Sequence, residues 1–237
     1  MFTLLVIILL IIVIYKIILL SHYKSLKDYN PNNIFSKELN IKNKTNNNED
    51  NFYEMFFQNL SNTFEKKVYD ENHISFKNEN EVIAITKQEQ LYKNLYTNLT
   101  TLDTKNSKIN FIDKKSNKLF LEKNNIKNDI DLFNYIKNKN NKKLSIFTMI
   151  TTIKREIAIK SITEIILYNE ITLINNDLNG YIINQNYKTR EVHILNNDTD
   201  YIIYFTGENV TSEQYIMDFL STINFKGDTN GNNKQTP

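Results

Sequence analysis

The apolar positions of this chain change their spacing twice along its length. Residues 2–20 are apolar almost without interruption, residues 51–160 mainly carry apolar positions three or four apart, and residues 164–206 contain four apolar runs between short polar stretches. Spacings of three and four are typical of amphipathic helices, and short apolar runs between turn residues are typical of strands. The pattern therefore predicts an α+β fold: an N-terminal transmembrane helix, a polar tether, and one domain with an antiparallel sheet packed by helices.

Residues 1–20 are predicted to be a membrane anchor. About nineteen apolar residues in a helix rise roughly 29 Å, which is close to the thickness of a bilayer's hydrocarbon core. The first alanine of the chain is Ala84, so the small-residue cleavage site of a secretory signal is missing. Lys24 and Lys27 follow the run, so the positive-inside rule favours a single-pass membrane protein whose domain faces the cytoplasm. Nothing else in the sequence decides the side.

The remaining chain divides into a tether, a domain and a tail. Residues 21–50 are polar and rich in asparagine, which predicts a flexible tether, with one short strand around Phe35 to Ile41. Residues 226–237 contain glycine and asparagine and no apolar period, so we expect a disordered tail. Residues 51–225 are left for the α+β domain, and this length is sufficient for one hydrophobic core.

Several helices and strands are predicted in the first part of this domain. Phe52, Phe56, Leu60 and Phe64 recur every four residues, which predicts a helix. Further helices are expected at 91–99, 129–137 and 145–160; short strands at 74–76 and 82–86; and a hairpin with arms at 108–112 and 118–121.

A β meander is predicted over residues 164–206, followed by a helix over 211–223. The four apolar runs of the meander are 164–174, 181–184, 191–195 and 201–206, and the polar stretches between them have the lengths of hairpin loops. Thr211 and Gln214 have the spacing of a capping box, which indicates the start of the helix.

The last part of the domain contains four features in order: Asn179-Gly180-Tyr181 at the start of a strand, the apolar strand 201–206, the helix 212–222 and the closing strand 223–225. With these features, residues 164–225 resemble the C-terminal half of PsbP-like domains, which are α/β/α sandwiches around an antiparallel sheet. The resemblance implies a domain that binds or assists other proteins, and many domains of this family have no enzymatic activity.

Composition and motifs exclude several classes of function. The net charge of +2 gives no strong field for nucleic acid, and the absence of cysteine excludes disulfides and thiolate metal sites. The three histidines, His22, His73 and His193, share no metal-ligand spacing, and no phosphate-binding glycine motif is present. The sequence therefore predicts no cofactor, no metal and no catalytic residue.

Six residues are candidates for an interaction surface. They are Tyr92 and Tyr96 on a predicted helix, Lys142 and Lys143 in the densest basic stretch, and the only two arginines, Arg155 and Arg190. Tyrosine is favoured at interfaces, lysine near anionic lipid, and arginine where a bidentate contact is made. Core packing for the tyrosines and plain solvent exposure for the basic residues are the alternative interpretations.

Three functional hypotheses follow from these observations. The leading one is a membrane-tethered, non-catalytic binding or accessory protein whose domain recognises a protein partner near the membrane. A more specific version is an immunity or inhibitor protein against a toxin. The alternative from another class is a hydrolase with an unrecognised active site that uses His193 and a distant acid, which requires His193 to point into a cleft beside a carboxylate. The identity of the partner and the oligomeric state stay open.

Overall fold

The chain forms two compact units in a computed structural model. The first unit comprises residues 1–34 and 90–168, and the second comprises 35–89 and 169–237. The second unit is therefore built from two segments, with much of the first unit between them in the sequence. The residues that the structure describes are 2–22, 30–44, 49–97, 102–104, 107–109, 114–138, 155, 159, 162–163, 166–186 and 188–225.

An eight-stranded sheet organises the second unit. Its strands are β1 (Ile34–Ile41), β4 (Glu65–Asp70), β5 (His73–Lys77), β6 (Val82–Glu89), β9 (Glu170–Asn176), β10 (Gly180–Asn186), β11 (Thr189–Asn196) and β12 (Thr199–Thr206). The spatial order is β1-β9-β10-β11-β12-β6-β5-β4. Strands β9 to β12 are consecutive antiparallel neighbours in this sheet, as the predicted meander requires. Its first predicted run, 164–174, is a strand only from Glu170, because residues 166 and 167 are helical. The two segments of the second unit meet at two pairings in this sheet, β1 with β9 and β12 with β6.

One face of this sheet carries the main hydrophobic core. Cross-strand pairs place Ile182 beside Val192, Val192 beside Ile203, and Ile203 beside Ile85. Helix α5 (Glu213–Leu220) contributes Ile216, Phe219 and Leu220 to the same cluster of buried side chains. Its N-cap is Ser212, one residue after the predicted Thr211, and the Ser212 hydroxyl accepts a hydrogen bond from the N–H of Tyr215.

A small three-stranded sheet completes the second unit. It consists of β2 (Glu49–Phe52), β3 (Met55–Gln58) and β13 (Asn224–Phe225), with β3 in the middle. The predicted closing strand near residue 225 is thus confirmed as β13. Phe52, Met55 and Phe57 belong to the same hydrophobic core as α5.

The first unit is mainly helical among its described residues. It contains α1 (Phe2–His22), α2 (Leu91–Thr97), α3 (Lys114–Lys123), α4 (Asp129–Asn138), a single 3-10 turn at Pro31–Asn33, and the short hairpin β7 (Leu102–Thr104) and β8 (Ser107–Ile109). The helices predicted at 91–99 and 129–137 are confirmed as α2 and α4. The carboxylate of Asp129 accepts hydrogen bonds from the N–H groups of Leu91 and Tyr92, at 2.9 and 2.7 Å, and so satisfies the first turn of α2.

The transmembrane anchor predicted for residues 1–20 is not supported. Within the part of the chain that the structure describes, no helix is both long enough and apolar enough to cross a membrane. The fold with an N-terminal transmembrane helix and the single-pass membrane localisation are therefore wrong.

Two predicted elements have the opposite type of secondary structure. Residues 52–64 were expected to be a helix, but they contain the end of β2, a turn at Tyr53-Glu54 and β3. Tyr53 has a positive φ of 56°, which closes this tight hairpin and breaks any helix. Residues 118–121 were expected to be a strand but lie in α3, where Phe120 and Leu121 are buried. The helix predicted at 145–160 falls almost wholly outside the described residues, and so does the tail predicted at 226–237.

Candidate functional site

A cleft of about 760 Å³ lies in the second unit, between the β1 end of the large sheet and α5. Its volume is in the range of sites that bind ligands. The lining residues come from β1 (Lys37, Glu38, Leu39), β9 (Glu170, Thr172), β10 (Ile182, Asn184), β11 (Arg190) and α5 (Glu213, Ile216). The floor of the cleft is therefore the face of the sheet that carries the main core.

A row of polar side chains crosses the floor of this cleft. Asn184 pairs with Glu170 of the neighbouring strand, so both side chains lie on one face of the sheet. The guanidinium of Arg190 donates a short hydrogen bond through Nη1 to Oδ1 of Asn184, and Nδ2 of Asn184 donates to Oγ1 of Thr172 at 3.3 Å. Asn184 is thereby fixed in orientation, and it holds Arg190 in place from the neighbouring strand.

Arg190 is the most deeply placed charge of the cleft. Its side chain is half-buried, whereas Lys37, Glu170 and Glu213 are exposed at the rim. Among the described residues, no carboxylate lies within ion-pair distance of its guanidinium, and its hydrogen-bond partner is the neutral amide of Asn184. A guanidinium has five N–H donors arranged to match a carboxylate, so most of the donors of Arg190 stay available to a ligand.

The rim of the cleft carries charges of both signs. Lys37 and Glu38 extend from β1, Glu170 from the start of β9, and Glu213 from the first turn of α5. Nδ2 of Asn175 donates a hydrogen bond to Glu38 at 2.8 Å. Since these rim groups are solvated, each contributes less to binding than a charge on the floor does.

A second polar cluster surrounds His193 on the opposite face of the sheet. Nδ1 of His193 lies 2.8 Å from Oδ2 of Asp200, and Nε2 lies 3.0 Å from Oε1 of Glu191. The imidazole is stacked on the ring of Tyr181, with centroids 4.3 Å apart, and is 2% exposed. Gln88 also donates to Oδ2 of Asp200, at 3.3 Å.

This environment keeps His193 protonated at neutral pH. Burial acts to lower its pKa, but the charges and hydrogen bonds of Asp200 and Glu191 outweigh burial and raise the pKa to about 9. Burial, with the nearby charge of Glu191, raises the pKa of Tyr204 to about 12, so its neutral hydroxyl donates to Glu191. Each ring nitrogen of His193 thus faces a carboxylate.

The hydrolase hypothesis needs His193 as a general base, and this geometry does not favour it. A general base needs an unprotonated nitrogen within reach of the proton that it removes. Here both ring nitrogens are engaged with carboxylates inside the protein, and His193 does not line the cleft. Within the described residues, no group of three or more side chains is arranged to hold a metal ion.

The structure describes the side chains of three of the six candidate interaction residues. Arg190 lines the cleft, while Tyr92 is 7% exposed in α2 and Arg155 lies over the ring of Phe120 at 4.4 Å. Tyr96 belongs to α2, but its side chain lies outside the described residues, as do Lys142 and Lys143. Sequence reasoning missed Lys37, Asn184 and Glu213, whose contribution depends on which strands become neighbours.

The comparisons with known proteins add no relative to this picture. No family model matches the chain, and neither a curated protein nor a solved structure shows significant similarity to it. The resemblance of residues 164–225 to PsbP-like domains therefore stays a prediction, and what the cleft binds has to be inferred from its own residues.

Proposed function

We propose that this protein is a non-catalytic binding protein, and that the cleft between β1 and α5 holds a segment of a protein partner. The observation that carries the proposal is Arg190, a half-buried guanidinium on the cleft floor that is held by the neutral Asn184. Partial burial of a charged guanidinium without a charged partner costs free energy. A ligand that supplies an anionic group would offset this cost by forming charge-assisted hydrogen bonds.

The chemistry of the lining supports binding and not turnover. The ten described residues that line the cleft include neither histidine nor cysteine, and the one hydroxyl among them, on Thr172, accepts a hydrogen bond from Asn184. Nucleophilic catalysis needs an activated hydroxyl or thiol beside a base. The apolar contacts offered by Leu39, Ile182 and Ile216 are typical of recognition.

The position of β1 favours a peptide segment over a small molecule. β1 ends the sheet, so among the described strands its outer backbone edge has no neighbour. Lys37, Glu38 and Leu39 of this strand also line the cleft. An extended peptide can therefore contact backbone groups of β1 while its side chains enter the cleft, as in other cases of strand addition.

The test is selection of peptides from a displayed random decapeptide library on the full chain. Asn184→Trp fills the cleft, and Val68→Trp introduces the same side chain at an exposed position of β4, outside the cleft. We expect the selected peptides to bind the wild type and Val68→Trp equally, and to bind Asn184→Trp at least about ten-fold more weakly. Circular dichroism shows whether both variants keep the wild-type secondary structure. Peptides that bind Asn184→Trp as well as the wild type would overturn the proposal.

A further inference from the structure

The charges of the cleft indicate which side chains the bound peptide segment carries. We infer that the cleft recognises a dipolar peptide segment, in which a carboxylate pairs with Arg190 on the floor and a cationic side chain two residues away pairs with Glu170 at the rim. This inference rests on the proposed function, because it names the ligand of the same cleft.

The first step is the assignment of the carboxylate to Arg190. The guanidinium is half-buried, where an ion pair is less screened by water than at the rim. Oδ1 of Asn184 occupies one donor of Nη1 and fixes the plane of the group, which leaves the outer donors in a fork. A fork of this kind matches the two oxygens of a carboxylate in a bidentate pair. Lys37 at the rim adds a second positive charge on β1.

The second step is the assignment of the cation to Glu170. Among the described residues, no basic side chain lies within ion-pair distance of Glu170. The same is true of Glu213, in the first turn of α5. Glu170 is the cross-strand neighbour of Asn184, and Asn184 in turn contacts Arg190. Glu170 and Arg190 therefore lie two strands apart, at about 10 Å between their backbones.

This separation sets the spacing of charges in the ligand. Side chains two residues apart in an extended peptide point to the same side and leave the backbone about 7 Å apart. The lengths of the Arg190 and Glu170 side chains cover the remaining difference. An acidic residue and a basic residue at this spacing can thus reach both partners at once, whereas neighbouring residues point to opposite sides. A purely acidic segment would be repelled by Glu38, Glu170 and Glu213.

The experiment uses the peptides selected on the full chain and blocked by Asn184→Trp. Each is resynthesised with its acidic residue replaced by the amide, or with its basic residue replaced by glutamine, and Kd is measured by fluorescence anisotropy. We expect each replacement to weaken binding to the wild type by about ten-fold. The acidic replacement should have no further effect on Arg190→Gln, and the basic replacement none on Glu170→Gln, because the partner charge is already gone.

The matched control is Lys67→Gln, which removes an exposed charge on β4 and should leave all Kd values unchanged. Arg190→Lys should recover only part of the affinity, since a lysine cannot form the bidentate pair. Blocked peptides that carry no acidic residue, or that bind Arg190→Gln like the wild type, would overturn the inference while the proposed function stands. If no selected peptide is blocked by Asn184→Trp, both fail.

Discussion

At the scale of single residues, the most consequential group outside the cleft is His193. Its imidazolium lies between Glu191 and Asp200, and Oδ1 of Asp200 has no hydrogen-bond partner among the described residues. The cluster therefore holds two negative charges against one positive charge with little water nearby. Removing the cation from such a cluster leaves buried carboxylates without a positive charge. The resulting loss of stability is larger than the net stabilisation that the intact ion pair provides.

We predict that His193→Gln destabilises the protein by about 3–5 kcal/mol. The glutamine amide keeps one hydrogen bond, but it carries no charge to offset Glu191 and Asp200. Urea unfolding at pH 6 measures the loss. His73→Gln is the control, because His73 lies on β5, which is separated from β11 by β12 and β6, and it stacks on the exposed ring of Tyr69. A change of less than about 1 kcal/mol for His193→Gln would show that the buried charge is not held as described.

The same histidine makes stability depend on pH in a defined direction. Its pKa in the folded protein is about 9, above the ordinary 6.5, so the folded state holds a proton that the unfolded state releases. The stabilisation is complete below pH 6.5 and is lost as the pH rises through 9. We expect the free energy of unfolding of the wild type and of His73→Gln to fall between pH 6.5 and 9.5. An equal fall in His193→Gln would assign the effect to other groups.

The sequence contains one feature that predicts the contact between His193 and Asp200, namely the position of the hairpin turn between them. The turn at Asn197-Asp198 sets the register of β11 against β12, which pairs Leu195 with Asp200 and His193 with Ile202. Diagonal neighbours on one face of a hairpin are within reach of each other's side chains. The contact of His193 with Asp200 could thus be derived from the hairpin, whereas the depth of its burial could not, because burial depends on what covers the sheet.

At the scale of elements, the start of β10 depends on Gly180. Gly180 pairs with Ile194, and a Cβ at this position would overlap the carbonyl oxygen of His193 on the neighbouring strand. We predict that Gly180→Ala destabilises the protein by about 1–3 kcal/mol, because the strands have to move apart. Asn179→Ala, at the exposed preceding position, should change stability by no more than about 0.5 kcal/mol. Urea unfolding compares the two variants, and equal stabilities would contradict the close approach.

Helix α2 is held at its start by a buried carboxylate from another helix. Asp129 is fully buried and accepts from the N–H groups of Leu91 and Tyr92. We predict that Asp129→Ala costs about 1–3 kcal/mol, since both donors lose a charged acceptor. Hydrogen exchange should become faster across α2. Asp131→Ala removes an exposed contact to the N–H of Lys127 and is the control. Unchanged exchange in α2 would show that the cap is dispensable.

The elements that sequence reasoning found and missed differ in a physical property. Strands β10 to β12 consist of short apolar runs between polar turns, a pattern that fits strands and not helices. They lie where strands were predicted. The apolar residues at 52, 56, 60 and 64 fit a helix by spacing, but two adjoining strands place Phe52 and Phe57 in the same core. The spacing of apolar residues cannot distinguish the helix from the hairpin. What decides for the hairpin is the turn at Tyr53, which requires a positive φ that the spacing does not show.

At the scale of the whole molecule, the cleft is a product of topology. β1 lies beside β9, although about 130 residues separate them in the chain, and α5 comes from a third region. Of the cleft residues, only Arg190 was selected from the sequence, on the ground that the chain otherwise uses lysine. Lys37 and Asn184 have no distinguishing local pattern. Their role depends on strand order, which a single sequence does not specify.

Strand order also predicts how stability is distributed over the second unit. β12 lies inside the sheet between β11 and β6 and is largely buried, whereas β4 ends the sheet and is exposed at every residue. Amides of β12 should therefore exchange only through global unfolding, and those of β4 through local opening. Ile203→Ala, at the centre of β12, removes a fully buried side chain and should cost about 2–5 kcal/mol.

That cost should lower protection by the same free energy throughout β11, β12 and β6, because these strands unfold together. Val68→Ala on β4 removes a side chain that is 65% exposed, and it should change stability by no more than about 0.5 kcal/mol. Hydrogen exchange with mass spectrometry on the full chain follows both variants. If Ile203→Ala lowered protection only in β12, the central strands would open independently. The two chain segments that meet where β12 pairs with β6 would then not form one cooperative unit.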